Sequence, residues 1–346
     1  MDKIKVAVTG INAGDNPAPG LGVAKSLKQD PGLECRIIGL ACDALDPGIY
    51  VDGLVDRAYL IPYPGGDCAG MLARLLYVHE REGLDVVVPT LDSELPFFIT
   101  HRELLAGHGI HCLVPDWEQL GLRSKPRLAE AAAAAGVATP RQCLVRTEAE
   151  LDAAVRAIGL PVMIKGAMYN ALHAATPAAA REHFRTLAAR WSTPLICQAV
   201  VRGEGLNVAG VGDGNGGVLG LVAVRKMTVT GLGKIWTGVT IAHAGLLAAT
   251  RAFVAHARWR GAFEMECIVD GDQVHLIEIN PRFPAWIYLS AAVGTNLPAM
   301  LVRSALERSV EPAPPCPAGR LYVRYTEDRV FDMAVLQQLI TRGETR

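Results

Sequence analysis

Glu266, Glu278 and Asn280 fall on two short apolar runs, GAFEMECIVDG and QVHLIEINPR, that meet at Asp270-Gly271. An Asp-Gly pair between alternating runs predicts a tight β-hairpin over 261–282. Strand side chains alternate between faces, so Glu264 and Glu266 share one face of the first strand. On the second strand, His275, Ile277 and Ile279 are expected on one face and Leu276, Glu278 and Asn280 on the other. If Glu266 lies across from Glu278, two carboxylates and a carboxamide oxygen meet on one patch. Carboxylates that close repel and raise each other's pKa unless a cation sits between them. Hard oxygen donors suit Mg²⁺, which keeps some waters and takes further ligands from phosphate. Arg282, two residues on, can hold a phosphate or carboxylate in bidentate fashion. The competing reading is a surface hairpin whose acids are simply solvated. Against it, Glu278 stands inside LIEIN, where an unpaired carboxylate is costly.

The segments around this hairpin divide by pattern. IKVAVT (4–9), CRIIGLA (35–41) and DVVVPTLD (85–92) are apolar runs separated by helical patterns, including 20–28 and AGMLARLLYVHEREG. Such alternation predicts a parallel, doubly wound sheet with ligands at the carboxyl ends of its strands. That rule puts the loop 10–20 and the stretch Thr90–Glu94 beside a cleft. An alanine-rich helix ending at Gly136 follows, then a small α+β unit over roughly 140–200 containing PVMIKG and PLICQAVVRGEG. From Asn207 onward LNVAGVGD, VLGLVAVRKM and KIWTGVTIA predict antiparallel strands, and RLYVRYTED a final one before a terminal helix.

Bulk properties narrow the function. With 346 residues, half of them hydrophobic and a fifth charged, the chain can fill two or three cores. A net charge of −1 offers no footprint for nucleic acid or an anionic membrane. The eight cysteines show no CxxC spacing and several sit in apolar runs, so buried thiols of a reducing compartment are expected rather than a zinc site. MDKIKVAVTG reads as a strand, not a signal peptide, and no apolar window is long enough to span a bilayer, so a cytoplasmic protein is expected.

GAFEMECIVDGDQVHLIEINPRF resembles the metal-binding core of the ATP-grasp superfamily, closest to the branch of carbamoyl phosphate synthetase large-subunit domains and related carboxylate–amine ligases. The resemblance covers nearly the whole chain, through the first βα unit, DVVVPTLDSEL, SKPRLAEAAAAAGVATP, LPVMIKG and ICQAVVRGEG. It implies an α/β domain over 1–115 and an ATP-grasp α+β domain over 116–346, with a lid subdomain near 140–200 and an antiparallel sheet. It also implies ATP with Mg²⁺ (Mn²⁺ as a substitute), small carboxylate and amine substrates, and allows a homodimer. Glu266, Glu278 and Asn280 would be the Mg²⁺ ligands. Lys165 would meet the α/β-phosphates, with Lys125 and Lys226 as further cations. Gln198, Val200 and Val201 would flank adenine, Glu204 would take the ribose, and Arg282 the γ-phosphate or acyl phosphate. The chemistry implied is phosphoryl transfer to a carboxylate and displacement of phosphate by an amine, which needs no covalent nucleophile.

Some stretches depart from that pattern. The lid segment 166–177, GAMYNALHAATP, has one glycine where the family carries a glycine-rich loop, leaving Asn170 and His173 as candidate contacts. GINAGDNPAPGLG does not match a dinucleotide-binding GxGxxG. Asp92 and Glu94, at a strand's carboxyl end, could bind an amine or guanidinium or cap the next helix. Trp286 could wall an acceptor pocket or be a core aromatic, and Arg324 could face the same cleft. A kinase of small acids and a non-catalytic nucleotide-binding module remain the alternatives.

Overall fold

A computed structural model describes residues 3–14, 16–63, 65–166, 170–231, 233–311 and 313–345. Apolar runs without alternation build the first layer, because strands buried on both faces need no polar side. β1 (Ile4–Val8), α1 (Gly20–Lys28), β2 (Cys35–Ala41), β3 (Arg57–Leu60), α2 (Cys68–Glu82), β4 (Val86–Val88) and α3 (Leu95–Gly107) form a parallel sheet in the order β3-β2-β1-β4, with its helices. The doubly wound expectation is met. β4 is shorter than the run 85–92 suggested, since the chain turns at Thr90 to enter α3.

α4 (Trp117–Gly121) and α5 (Lys125–Ala134) lead to a four-stranded antiparallel sheet, β5-β8-β6-β7. It comprises β5 (Gln142–Val145), α6 (Glu148–Ile158), β6 (Val162–Lys165), β7 (Ala171–Ala174), α7 (Pro177–Trp191) and β8 (Leu195–Ala199). The segment 166–177, expected as a loop, therefore contains a strand: Lys165 pairs with Ala171, and Asn170 takes a positive φ of 66° at the turn. Ala167, Met168 and Tyr169 of that segment lie outside the described residues.

The third sheet has the order β13-β12-β9-β10-β11-β14. Its parts are β9 (Glu204–Asp213), β10 (Val218–Val229), β11 (Ile235–Thr240), α8 (Ala244–Ala257), β12 (Arg260–Asp270), β13 (Gln273–Asn280), α9 (Tyr288–Ala292), α10 (Leu297–Ala305), β14 (Leu321–Val323) and the terminal α11 (Met333–Arg342). One face packs Phe263, Met265, Leu276 and Ile279 under α5 and α8. The other shares a core with the parallel sheet: Val211 and Val222 join Val8, Val23 and Val88 through Phe283, Trp286 and α10. This shared core fixes the carboxyl ends of β1 and β4 beside β12 and β13, where the polar residues gather. No helix among the described residues is long and apolar enough to cross a membrane.

Candidate active site

Three neighbouring strands carry the polar row. Asn207 on β9 stands opposite Glu266 on β12, and Glu266 opposite Glu278 on β13. In the next row Glu264 stands opposite Asn280. Directly opposed residues of antiparallel strands have Cβ atoms about 4.5–5.5 Å apart, so these groups share one patch. The expected face assignment holds for Glu278 and Asn280 but not for Leu276. Between the pairs Glu266–Glu278 and Cys267–Leu276 the register shifts by one residue, a β-bulge that adds Ile277. The bulge resets the alternation, so Val274, Leu276 and Ile279 all enter the core while Glu278 and Asn280 turn to the cleft.

Glu264 organises this patch from beneath. It is buried, and its Oε1 accepts from Asn207 Nδ2 at 2.8 Å and Trp286 Nε1 at 2.9 Å. Its Oε2 accepts from Asn280 Nδ2 at 3.3 Å and Arg282 Nη1 at 3.4 Å. Burial, then the charge of Glu266, pushes its carboxyl pKa up, against the pull of Arg282. Because both asparagines commit their amide nitrogens to Glu264, their carbonyl oxygens are what they can offer. Asn207 Oδ1 is buried with no partner among the described residues.

Lysines surround the acids. Lys226 Nζ lies 2.6 Å from Glu266 Oε2, and Lys125 Nζ 3.5 Å from Glu278 Oε2. Lys165, at the end of β6, is pushed down to about 8 by burial and then by Lys125, with Glu278 and Glu266 opposing. On the other side Arg282 Nε lies 3.2 Å from Asp92 Oδ2, and Arg123 Nη2 3.7 Å from Asp92 Oδ1. Lys125, Glu266, Glu278, Asp92, Arg123 and Arg282 border a cavity of about 340 Å³, whereas Lys165 and Lys226 stand behind its lining. Among the described residues no three His, Cys, Asp or Glu side chains form a metal site by themselves. Two carboxylates with one or two carboxamide oxygens make an incomplete oxygen set, which suits Mg²⁺ completed by water and phosphate.

A family model described as ATP-grasp in the biosynthetic pathway with Ter operon matches residues 196–329. Its span takes in β9 to β13 and so the whole polar row. The chain has the ATP-grasp fold. Solved structures support this over most of its length. A biotin carboxylase–β,γ-ATP complex from Campylobacter jejuni is 16% identical, with a TM-score of 0.68 over 90% of this chain and 72% of that one. N5-carboxyaminoimidazole ribonucleotide synthetase from Thermus thermophilus is 17% identical, with a TM-score of 0.66 over 90% and 81%. An L-amino acid ligase from Bacillus licheniformis is 15% identical, with a TM-score of 0.63 over 90% and 78%. At these identities the likeness is one of fold. No curated protein matches the sequence.

Within this ATP-grasp fold the remaining candidates sort by place. Gln198 is buried on β8 and donates to Gln142, whose own amide donates to the carbonyl of Lys125. Val200 and Val201 form the turn from β8 to β9, and the Val200 N–H is spent on Pro161 O at 3.4 Å. Glu204 is exposed and held by Arg225 at 2.5 and 2.9 Å. None of these four borders the cavity. Trp286 does, while also filling the core at 1% exposure, as expected of a core aromatic.

Two substrate candidates lie elsewhere. Glu94 is fully buried: its Oε1 accepts from the Thr9 hydroxyl and from Thr90 N and Leu91 N at 2.6 and 2.7 Å, locking the loop after β4. It neither reaches the cleft nor caps α3 with its side chain. Arg324 faces a neighbouring cavity, where it donates to Ala285 O at 2.6 Å. Asn170 borders the main cavity, whereas His173, exposed on β7, does not. Sequence reading overlooked Asn207, Arg123 and Lys234, and gave Glu264 no role. Asn207 had a signal, being the one polar side chain of LNVAGV, but Lys234 in a glycine turn had none.

Proposed function

We propose that this chain is an ATP- and Mg²⁺-dependent ligase that activates a small carboxylate as an acyl phosphate for attack by an amine. The observation that carries this is the row Asn207, Glu266, Glu278 over Glu264 and Asn280, ringed by Lys125, Lys165 and Lys226. Glu266, Glu278 and Asn280 hold Mg²⁺, with Mn²⁺ able to replace it. The bound ion supplies charge neutralisation at the phosphate oxygens and orients the phosphoryl group. The unpartnered Asn207 oxygen and the opposed carboxylates fit such a hard cation.

The chain's own groups do the rest. Lys165 and Lys125 draw the nucleotide phosphates toward the patch. Arg282, oriented by Asp92 and Glu264, stabilises charge as the γ-phosphoryl passes to the carboxylate oxygen. The new P–O bond makes the acyl phosphate and frees ADP; the amine then forms the C–N bond and releases phosphate. Gln198, Val200, Val201 and Glu204 form the adenine and ribose side, the last after exchanging Arg225 for the sugar. Residues 1–115 form the α/β domain that closes the substrate side, and 116–346 the nucleotide-binding domain.

The test is ADP and phosphate release from ATP against a panel of carboxylates and amines. Release only with both substrates is expected; release with one acid alone would make the protein a kinase, and none at all a binding module. Glu278→Ala is expected to abolish ADP formation while circular dichroism stays native. Turnover unchanged in that variant refutes the metal assignment.

A further inference from the structure

Beside the polar cavity lies a second one of about 430 Å³ with a different chemistry. Its walls include Trp236, Tyr288, Tyr322, Tyr325, Leu21 and Leu54, from five separate parts of the fold. Among the described residues no Asp or Glu borders it, yet it holds two cations without a carboxylate partner, Lys25 and Arg324. Lys25 Nζ sits 4.0 Å from the centre of the Tyr288 ring. The Arg324 guanidinium lies 5.7 Å from the Trp236 ring centre and is steadied by Tyr322 Oη at 2.9 Å. An aromatic pocket with positive charge and no negative charge selects an anion with an apolar body.

The two cavities meet. Ala285 borders both, and its carbonyl takes the Arg324 hydrogen bond. Lys234, on the polar side, donates to Pro17 O at 2.8 Å, and Pro17 borders the aromatic side. Lys234, Arg282 and Ala285 line the same cavity and Arg324 is bonded to the Ala285 carbonyl, so three cations stand along the junction, with Lys234 pushed down to about 8 by burial and then by Arg282. Asp92, the one acid felt there more strongly than Glu264, is shared with Arg282.

Building on the ligase reading above, we propose that the acid to be phosphorylated has a bulky, preferably aromatic body seated in this second pocket. Its carboxylate rests at the junction of Lys234, Arg282 and Arg324, facing the metal–nucleotide patch. The γ-phosphoryl group bonds to that carboxylate oxygen and ADP leaves. Asp92 Oδ2 is held by Arg282, but its Oδ1 has no hydrogen-bond partner among the described residues and can accept from an α-ammonium group, so the class includes aromatic amino acids and their des-amino analogues.

The experiment uses two matched pairs, 3-phenylpropionate with acetate and L-phenylalanine with glycine, each with ATP, Mg²⁺ and hydroxylamine as the amine. The aromatic member of at least one pair is expected to give ADP with kcat/KM at least about tenfold higher, the worth of burying a phenyl ring. Tyr322→Ala should shrink that ratio. Separately, 3-phenylpropionate without ATP should quench Trp236 fluorescence, a signal absent from Trp236→Phe. ADP formation with equal kcat/KM across both pairs overturns the pocket assignment and leaves the ligase reading intact. No ADP with any acid, but retained Trp236 quenching, overturns the ligase reading and keeps the pocket. Neither signal overturns both.

Discussion

Replacing Glu264 by glutamine tests how the patch is held, because the substitution keeps shape and removes charge. The wild-type carboxylate accepts four N–H groups, two at each oxygen. In Glu264→Gln the new side chain can keep its carbonyl oxygen toward Asn207 and Trp286, the two shorter bonds at 2.8 and 2.9 Å. Its amide nitrogen then faces Asn280 Nδ2 and Arg282 Nη1, a donor against donors. Hydrogen bonds to a charged group contribute about 1.5–3 kcal/mol each, and those between neutral groups about 0.5–1.5. Losing the charge weakens two bonds and leaves two more without an acceptor, although ionising Glu264 in its buried place was itself unfavourable. A net loss of about 2 kcal/mol of stability is expected, read as an earlier denaturant midpoint. The sharper effect is on Asn280. Turning its amide over relieves the clash with the introduced amide, but it then presents NH2 instead of oxygen to the Glu266–Glu278 patch. Removing such a supporting contact behind a metal ligand costs about 10- to 100-fold in affinity. The Mg²⁺ concentration giving half-maximal ADP formation should rise by that factor, as should the one for Mg²⁺-dependent ADP binding by calorimetry. Destabilisation with unchanged Mg²⁺ dependence would refute the orienting role.

Two further outcomes follow from buried titratable groups. Lys165, lowered from 10.5 to about 8, keeps its charge only below that pH, so nucleotide affinity should weaken as pH rises through about 8. The unfolded chain binds more protons there, so the fold should gain stability from this group between about 8 and 10.5; Lys165→Met should abolish both trends in calorimetric titrations and melts. Glu94 has the opposite sign: burial raises it from 4.5 to about 7, so the folded protein holds the proton longer and stability falls as pH climbs between those values. Glu94→Gln cannot ionise and retains an oxygen for Thr90 and Leu91, so its stability relative to wild type should improve from pH 4.5 to about 7. A constant difference would mean that Glu94 is already fully ionised in the fold.

The strands of the parallel sheet were legible because burial on both faces leaves an apolar run that nothing else explains, and α1 and β2 begin and end where the pattern does. The hairpin was legible from Asp270-Gly271 and from one carboxylate embedded among isoleucines. What periodicity cannot see is register. One extra residue at Ile277 sent Leu276 to the core, and only pairing with β12 reveals it. β7 was missed since ALHA, beside glycine and asparagine, carries no strand signal of its own and exists as the partner of β6. Asp92 and Glu94 looked equivalent because they are two residues apart at one strand end. The turn into α3 leaves the first in the cleft and folds the second beneath the β1–β4 loops. The sequence places Arg324 on the last strand without settling which cavity it meets; β14 is only three residues long, and stacking on Trp236 turns the side chain to the neighbouring pocket.

The lysines show most clearly how the site is composed from distant sequence. Lys226 comes from β10, Lys125 from the first turn of α5 and Lys165 from the end of β6, and each answers the glutamates of β12 and β13. Their number and charge could be read from the chain, but not their pairing. The pairing matters because two half-buried carboxylates side by side are tolerated only when compensated, and removing one partner of such a pair leaves an isolated charge. A divalent cation that takes Glu266 and Glu278 must compete with two ammonium groups. Displaced, Lys125 would stand at the rim of the cavity and Lys226 just behind it, where phosphate oxygens could take them. Metal binding at Glu266 and Glu278 would thereby free Lys226 and Lys125 for the nucleotide, and nucleotide binding would lower the cost of freeing them. Such a linkage is reciprocal by thermodynamic necessity. It requires no movement of the sheet, only an exchange of partners among side chains already within reach of one another.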